Sequence, residues 1–346
     1  MKVCMKKILV IAPAWVGDAV MAEPLYRQLA DSAPDTVVDV FAPAWTLPLI
    51  ARMPSVRQAY LNPFGHGVLD VMGRRQLGHQ LRQEVYQQAI LLQNSIKSAL
   101  VPFFAGIPQR TGFVGEFRYG LVNDIRKLDK EALPSMLERF MALGVPAGSV
   151  LKKPLPEPRL VCHRDQAMAA AEGLGLSLAR PVVALCPGAE YGPAKRWPSG
   201  HFAQLARSAV DAGCQVWIFG SPKDQTIGAE IEQAAERDAV YNLTGATSLD
   251  VAIDLMSLAR VAVCNDSGLM HIAAALGIQL VALYGSSSPE FTPPLTQKAD
   301  ILSLGMECSP CFKRDCPLGH LRCLKDLQPA AVWQAVQNRL EIEAKC

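Results

Sequence analysis

Glycine, proline and a lysine come together in the string Cys186-Pro187-Gly188-Ala189-Glu190-Tyr191-Gly192-Pro193-Ala194-Lys195-Arg196-Trp197-Pro198. The apolar run Pro181–Leu185 precedes it and reads as a buried strand, and a helical pattern starts near Ser199. Strand, glycine-bearing loop, lysine and helix start suit an anionic ligand, because free N–H groups at a helix N-terminus attract negative charge. The loop is not of the G-x-x-x-x-G-K-[ST] type. An ordinary strand-to-helix connection with a surface lysine remains the alternative. Two further loops carry similar chemistry. Gly220-Ser221-Pro222-Lys223-Asp224 places an acid just beyond a strand, where ribose hydroxyls are bound in nucleotide sites. Asn265-Asp266-Ser267-Gly268-Leu269-Met270-His271 ends a strand and begins a helix, so Asp266 and Ser267 can cap that helix or help bind phosphate. His271 on its own reads as a packed helix residue. Three such loops on one sheet edge point to a nucleotide site.

In the first half the candidate is Asp18, in Pro13-Ala14-Trp15-Val16-Gly17-Asp18. It stands where a helix begins, so dipole complementarity or capping explains it without function. As a carboxylate projecting into a cleft it would be a general base. The G-x-G-x-x-G fingerprint is missing after the opening strand of either half, which argues against a dehydrogenase.

The elements that must carry these residues alternate along the chain. Strands are expected at Lys7–Ala12, Val37–Ala42, Gln58–Leu61 and Gln88–Leu92, with helices near Ala19–Asp31, Trp45–Met53, Val68–Glu84, Ser95–Phe104 and Glu131–Leu143. The proline-rich stretch Val145–Pro158 reads as a linker. Strands then return at Pro181–Leu185, Gln215–Phe219, Val240–Leu243, Val261–Cys264 and Gln279–Tyr284. Helices are expected between them at His201–Ala212, Ile227–Glu236, Leu249–Leu258 and Leu269–Leu276. This alternation predicts an α/β chain of two Rossmann-like domains with parallel sheets, residues 1–158 and 159–346, facing an interdomain cleft. Ligands would bind beyond the carboxyl ends of the strands. The last helix could pack back on the first domain.

With 346 residues, half of them hydrophobic and 19% charged, the chain is a folded globular protein of more than one core. A net charge of +2 excludes a strong nucleic-acid footprint. Between Arg74 and Lys127, however, eight basic residues oppose three acids (net +5), either a solvated face or a landing surface for an anionic acceptor or membrane leaflet. The basic start and short apolar run Ile8–Ile11 resemble a first strand rather than a signal peptide, and no run is long enough to span a membrane, so a cytoplasmic protein is expected. Cys4, Cys162, Cys186, Cys214, Cys264 and Cys346 read as scattered buried thiols. Cys308-x2-Cys311-x4-Cys316-x6-Cys323, with His320 inside it, is dense enough for a structural zinc, with unligated thiols as the alternative.

Ile8–Ile11 through Asp18, Gly188–Pro198 and Asn265–His271 resemble the lipopolysaccharide heptosyltransferases, inverting glycosyltransferases of GT-B architecture, and the likeness extends over nearly the whole chain. The strings Pro63–Gly67 and Asn94–Pro108 narrow it to members that extend the first inner-core heptose. The resemblance implies ADP-heptose as donor, bound by the second domain, and heptosyl-Kdo-lipid A as acceptor, bound by the first. It assigns Asp18 as base and Lys195 as the diphosphate partner. It further implies donor contacts by Glu190, Tyr191, Asp224 at the ribose, Thr247 beside the adenine, and Asp266, Ser267, Gly268 and His271 at the diphosphate and sugar. Lys97, Arg110 and Arg118 are the acceptor candidates. No cofactor or catalytic metal is implied, and the enzyme would work peripherally on the inner leaflet of the inner membrane. The open alternatives are a member using the same donor with another acceptor, a nucleotide-sugar epimerase of the same architecture, and a non-catalytic nucleotide-binding protein.

Overall fold

Strands buried on both faces need continuous apolar runs, and the central strands here are such runs of Val, Ile, Leu and Ala. The computed structural model describes residues 5–344. It divides into two compact units, one running through Leu160 and the other starting at Val161.

The first unit contains β1 (Lys6–Ile11), α1 (Val16–Met21), α2 (Glu23–Ala30), β2 (Thr36–Pro43), α3 (Leu47–Ile50) and β3 (Val56–Asn62). It continues with α4 (Val71–Leu81), β4 (Gln88–Leu91), α5 (Ile96–Phe104), β5 (Gln109–Phe113), β6 (Asp124–Arg126) and α6 (Met136–Leu143). Its six-stranded sheet has the order β3-β2-β1-β4-β5-β6, and every pairing is parallel. The single helix expected over 19–31 is divided at Ala22, because Pro24 lacks the N–H that a continuous helix requires and fits the first turn of a new one. Asp18 is thereby the third residue of a short helix directly after β1.

The second unit contains α7 (Arg164–Gly173), β7 (Val182–Cys186), α8 (Ser199–Asp211), β8 (Gln215–Ile218), α9 (Gln225–Ala235) and β9 (Val240–Asn242). It continues with α10 (Leu249–Met256), β10 (Val261–Asn265), α11 (Gly268–Ala275), β11 (Gln279–Leu283), β12 (Ala299–Leu302), α12 (Arg322–Lys325) and α13 (Pro329–Ala344). Its sheet order is β12-β11-β10-β7-β8-β9, again all parallel. Numbered from its own first strand, this is the same order as in the first unit, the doubly wound arrangement. Such sheets bind ligands where the strand order reverses: between β1 and β4 in one unit, and between β7 and β10 in the other.

β5, β6 and β12 were not anticipated. β6 and β12 are edge strands with no fully buried residue, and β5 begins with exposed Gln109, so none shows a full apolar run. The Ala-rich α7 is likewise buried chiefly at Ala167 and Ala171. α13 packs on α8 and β11 of its own unit, placing Val332, Ala335 and Val336 in the core with Trp197, Phe202 and Leu324. That i, i+3, i+4 spacing is an amphipathic stripe, and it fixes α13 to the second sheet.

Candidate active site

The loop after β7 and the loop after β10 meet at the reversal point of the second sheet. Lys195 Nζ donates to Asp266 Oδ2 at 2.6 Å, with side chains 17% and 4% exposed. Asn265, the last residue of β10, holds the β7 loop at both ends: its Nδ2 donates to Pro187 O and its Oδ1 accepts from Trp197 N. Trp197 is fully buried and donates its indole N–H to Leu327 O. Losing such a side chain costs about 3–5 kcal/mol, so the loop has a strong base. Neither Asp266 nor Ser267 serves as a cap, since α11 has no side-chain cap hydrogen bond. Asp266 is instead committed to Lys195, and Ser267 Oγ is out of solvent with no partner among the described residues. Gly268 begins α11. His271 is 3% exposed, and burial pushes its imidazole down to about 4, with Asp266 opposing and Lys195 reinforcing that shift. It is a neutral imidazole at pH 7.

The remaining donor candidates lie in the loops after β7, β8 and β9. Asp224 Oδ2 accepts from Ser221 N at 2.9 Å and Ser221 Oγ at 2.7 Å, which closes a single helical turn. Its carboxylate also lies against Gly188, where a Cβ would sit 2.7 Å from all three carboxyl atoms. The acid after β8 is thus seated on the β7 loop. Tyr191 donates its hydroxyl to Phe312 O at 2.8 Å, and its ring has Lys195 Nζ 5.2 Å and the Arg314 guanidinium 5.3 Å from its centre. Glu190 is exposed and pairs with Lys223, a contact worth little in water. Thr247 is half-buried in the turn between β9 and α10.

In the first unit, Asp18 stands half-buried after β1, and the loops that follow β1 and β4 are tied by Gln93 Nε2 donating to Ala12 O at 2.6 Å. Two acceptor candidates are bonded within the first unit. Arg118 is 2% exposed and donates to Gln93 O, Ser98 Oγ, Asn94 Oδ1 and Phe113 O. Arg110 donates to the carbonyls of Leu121, Ile107 and Gly120 and lies over the Phe103 ring. Their guanidiniums organise loops, as do those of Arg74, bound to Leu69 O and Val68 O, and Arg126, bound to Ala142 O and Val145 O. The basic landing surface read over 74–127 is therefore smaller than the charge count suggests. Lys97 stays half-buried in the first turn of α5.

The family model for glycosyltransferase family 9 (heptosyltransferase) matches residues 74–322, most of the chain. The chain belongs to this heptosyltransferase family. It is 50% identical over 342 residues to lipopolysaccharide heptosyltransferase 2 of Escherichia coli K12, covering 96% of this chain and 98% of that one. To lipopolysaccharide heptosyltransferase 2 of Salmonella typhimurium LT2 it is 47% identical over 345 residues, covering 97% and 99%. The solved structure of E. coli ADP-heptose LPS heptosyltransferase II matches with a TM-score of 0.89 at 46% identity, over 98% of this chain and 99% of that one. The two parallel six-stranded sheets are those of a GT-B glycosyltransferase, as the sequence implied.

Several residues of this heptosyltransferase fold were not singled out from sequence. Asn265 is one, since an amide inside a strand ending gives no sign of its two loop contacts. Ser286 and Ser287, in the loop after β11, are 1% and 6% exposed, and neither Oγ has a partner among the described residues. With Ser267 they place buried, unsatisfied hydroxyls at the ends of β10 and β11, where a polar ligand would satisfy them. A run of serines after an apolar strand was the available signal.

The cysteines divide otherwise than expected. Cys186, Cys214 and Cys264 are buried, but Cys162 is exposed because it lies in the irregular stretch before α7; Cys4 and Cys346 fall outside the described residues. Cys308, Cys311, Cys316 and Cys323 line a small pocket with His320 and Ala194. Among the described residues no three His, Cys, Asp or Glu side chains are placed to hold a metal ion, so the zinc reading gains no support. Cys316 Sγ instead accepts the Leu321 N–H at 3.5 Å.

Proposed function

We propose that the chain moves L-glycero-D-manno-heptose from ADP-heptose to the first heptose of heptosyl-Kdo-lipid A, releasing ADP. The observation that carries this reading is the Lys195–Asp266 pair at the reversal point of the second sheet, at the start of α11. A cation and helix N–H groups there suit a diphosphate leaving group. Full-length similarity to enzymes named heptosyltransferase 2 favours the second-heptose acceptor over another acceptor or an epimerase.

The acceptor hydroxyl attacks the anomeric carbon on the face opposite ADP. Asp18 takes its proton, the bond from that carbon to the diphosphate oxygen breaks, and the β-linked donor gives an α linkage. Lys195, Ser267 and the N–H groups of Gly268 and its neighbours stabilise the charge growing on ADP. Asp224 takes the ribose hydroxyls, Thr247 flanks the adenine, and Glu190, Tyr191 and neutral His271 orient the rest of the donor. Lys97 remains the cation for acceptor contact. The step calls on no cofactor. Among the described residues no helix is long and apolar enough to cross a membrane, and the reading places the enzyme on the inner leaflet through its lipid acceptor.

The test is a transfer assay with ADP-heptose against acceptors bearing zero, one or two heptoses. Turnover confined to the one-heptose acceptor is expected. Donor consumption without acceptor, or preference for the heptose-free acceptor, would refute the reading.

A further inference from the structure

Four exposed aromatic side chains stand in loops on the carboxyl edge of the first sheet. Trp15 (48% exposed) follows β1, Trp45 (52%) follows β2, and Phe117 (91%) and Tyr119 (64%) follow β5. In the second unit, by contrast, Trp197 and Trp217 are fully buried. Water does not favour a phenyl ring at 91% exposure, and the backbone does not favour it either: Glu116 and Phe117 both adopt left-handed conformations, with φ of 40° and 51°.

Arg118 holds this loop in place. Its buried guanidinium reaches Gln93 O, and the Gln93 side chain reaches Ala12 O, so the loop is bonded through one residue to the reversal point beside the Asp18 loop. Glu116 Oε2 accepts from Ile96 N at 2.8 Å, and Gly115 lies so close to Asn94 that a Cβ would meet its carbonyl at 2.5 Å. The four groups receiving the Arg118 hydrogen bonds are all neutral, its Nε has no partner among the described residues, and Glu116 is the acid that acts on its charge. Arg118 is thus the post on which the loop carrying the exposed rings is fixed. Beside Tyr119 the surface dips over Phe113, Val114, Gly115, Arg118 and Ile125.

Aromatic faces carry partial negative charge and attract the polarised C–H face of a pyranose. The buried Arg118 holds the loop that presents these faces, so they are in place before a sugar arrives. We propose that Phe117 and Tyr119 form the platform on which the anionic saccharide of the acceptor stacks, with Arg118 as its positioning residue. This rests on the transferase reading above and names the part of the first unit that recognises the acceptor.

The experiment compares wild type with Phe117→Ala, Tyr119→Ala, the double variant and Phe117→Trp. Each is assayed with the acceptor saccharide stripped of its acyl chains and with the intact acceptor in phosphatidylethanolamine–phosphatidylglycerol vesicles. Acceptor KM should rise about tenfold per lost ring with both acceptor forms, while kcat and donor KM stay within about twofold, and Phe117→Trp should restore wild-type KM. Both rings are exposed, so thermal midpoints should not move. An unchanged acceptor KM in the double variant would overturn the platform. So would a rise seen only with vesicles, which would mark a bilayer contact instead. Calorimetric binding of the acyl-free saccharide reads the platform without turnover, so a failure of transfer by wild type counts against the functional reading alone.

Discussion

Lys195 Nζ and Asp266 Oδ2 lie 2.6 Å apart across the two strands, β7 and β10, between which the order of the second sheet reverses. One residue comes from a loop without side-chain capping and the other from a helix start that it does not cap. Their pairing keeps the ammonium in place before any ligand arrives. Lys195→Ala should weaken ADP binding by about tenfold to a hundredfold, the scale of one charge-assisted contact. Isothermal titration with ADP measures this, and unchanged affinity would remove Lys195 from the diphosphate.

Asp18 should separate chemistry from donor binding. Asp18→Asn is expected to lower kcat by about 10²–10⁴ while leaving ADP affinity within about twofold. Transfer at the wild-type rate would show that another group takes the proton.

Gly188 sets the seat of Asp224. Because a Cβ there would sit 2.7 Å from the whole carboxyl group, Gly188→Ala should push Asp224 out of its bonds to Ser221 and weaken donor binding. A loss of about tenfold in ADP-heptose affinity is expected, comparable to one or two hydrogen bonds. Adenine alone should bind the variant as it binds wild type.

His271 gives the second unit an acid-sensitive point. Its imidazole is about 4 in the fold against 6.5 when unfolded, so the unfolded chain binds the extra proton between those values. Stability from this group is therefore complete above about pH 6.5 and is lost as pH falls toward 4, by up to about 3 kcal/mol. Urea midpoints at pH 7 and pH 5 should differ less in His271→Gln than in wild type. An equal difference would show that the histidine does not carry the effect.

Thiol chemistry should follow burial. Cys162, Cys308, Cys311 and Cys316 are accessible in whole or part, whereas Cys186, Cys214, Cys264 and Cys323 are buried. Cys316 should react first, because the Leu321 N–H and its neighbours hold its thiol below the usual range. Cys264 should react only on unfolding, since burial and the adjacent Cys186 push its thiol up. Mass spectrometry after brief iodoacetamide exposure reads the order directly.

The positions of Lys195, Asp224 and Asp266 were legible because each follows an apolar run and precedes a helix, and a parallel sheet collects such loops on one edge. Arg118 was legible only as a charge. A buried arginine bonded to neutral oxygens has the same letter as a solvated one, and three of its partners, Gln93, Asn94 and Ser98, are distant in sequence. β6 and β12 escaped notice for a related reason: an edge strand needs apolar residues on fewer sides. Ser286 and Ser287 offered only a run of serines after an apolar strand, since their significance lies in hydroxyls with no partner among the described residues.

Asn265 has one further consequence. By binding Pro187 O and the Trp197 N–H with a single amide, it closes residues 187–197 into a ring that hangs from the end of β10. Such a ring is an exchangeable cassette. Its ends are fixed to the sheet independently of the residues inside it, so exchanging Glu190 and Tyr191 for a relative's sequence should leave the strands that hold it in place.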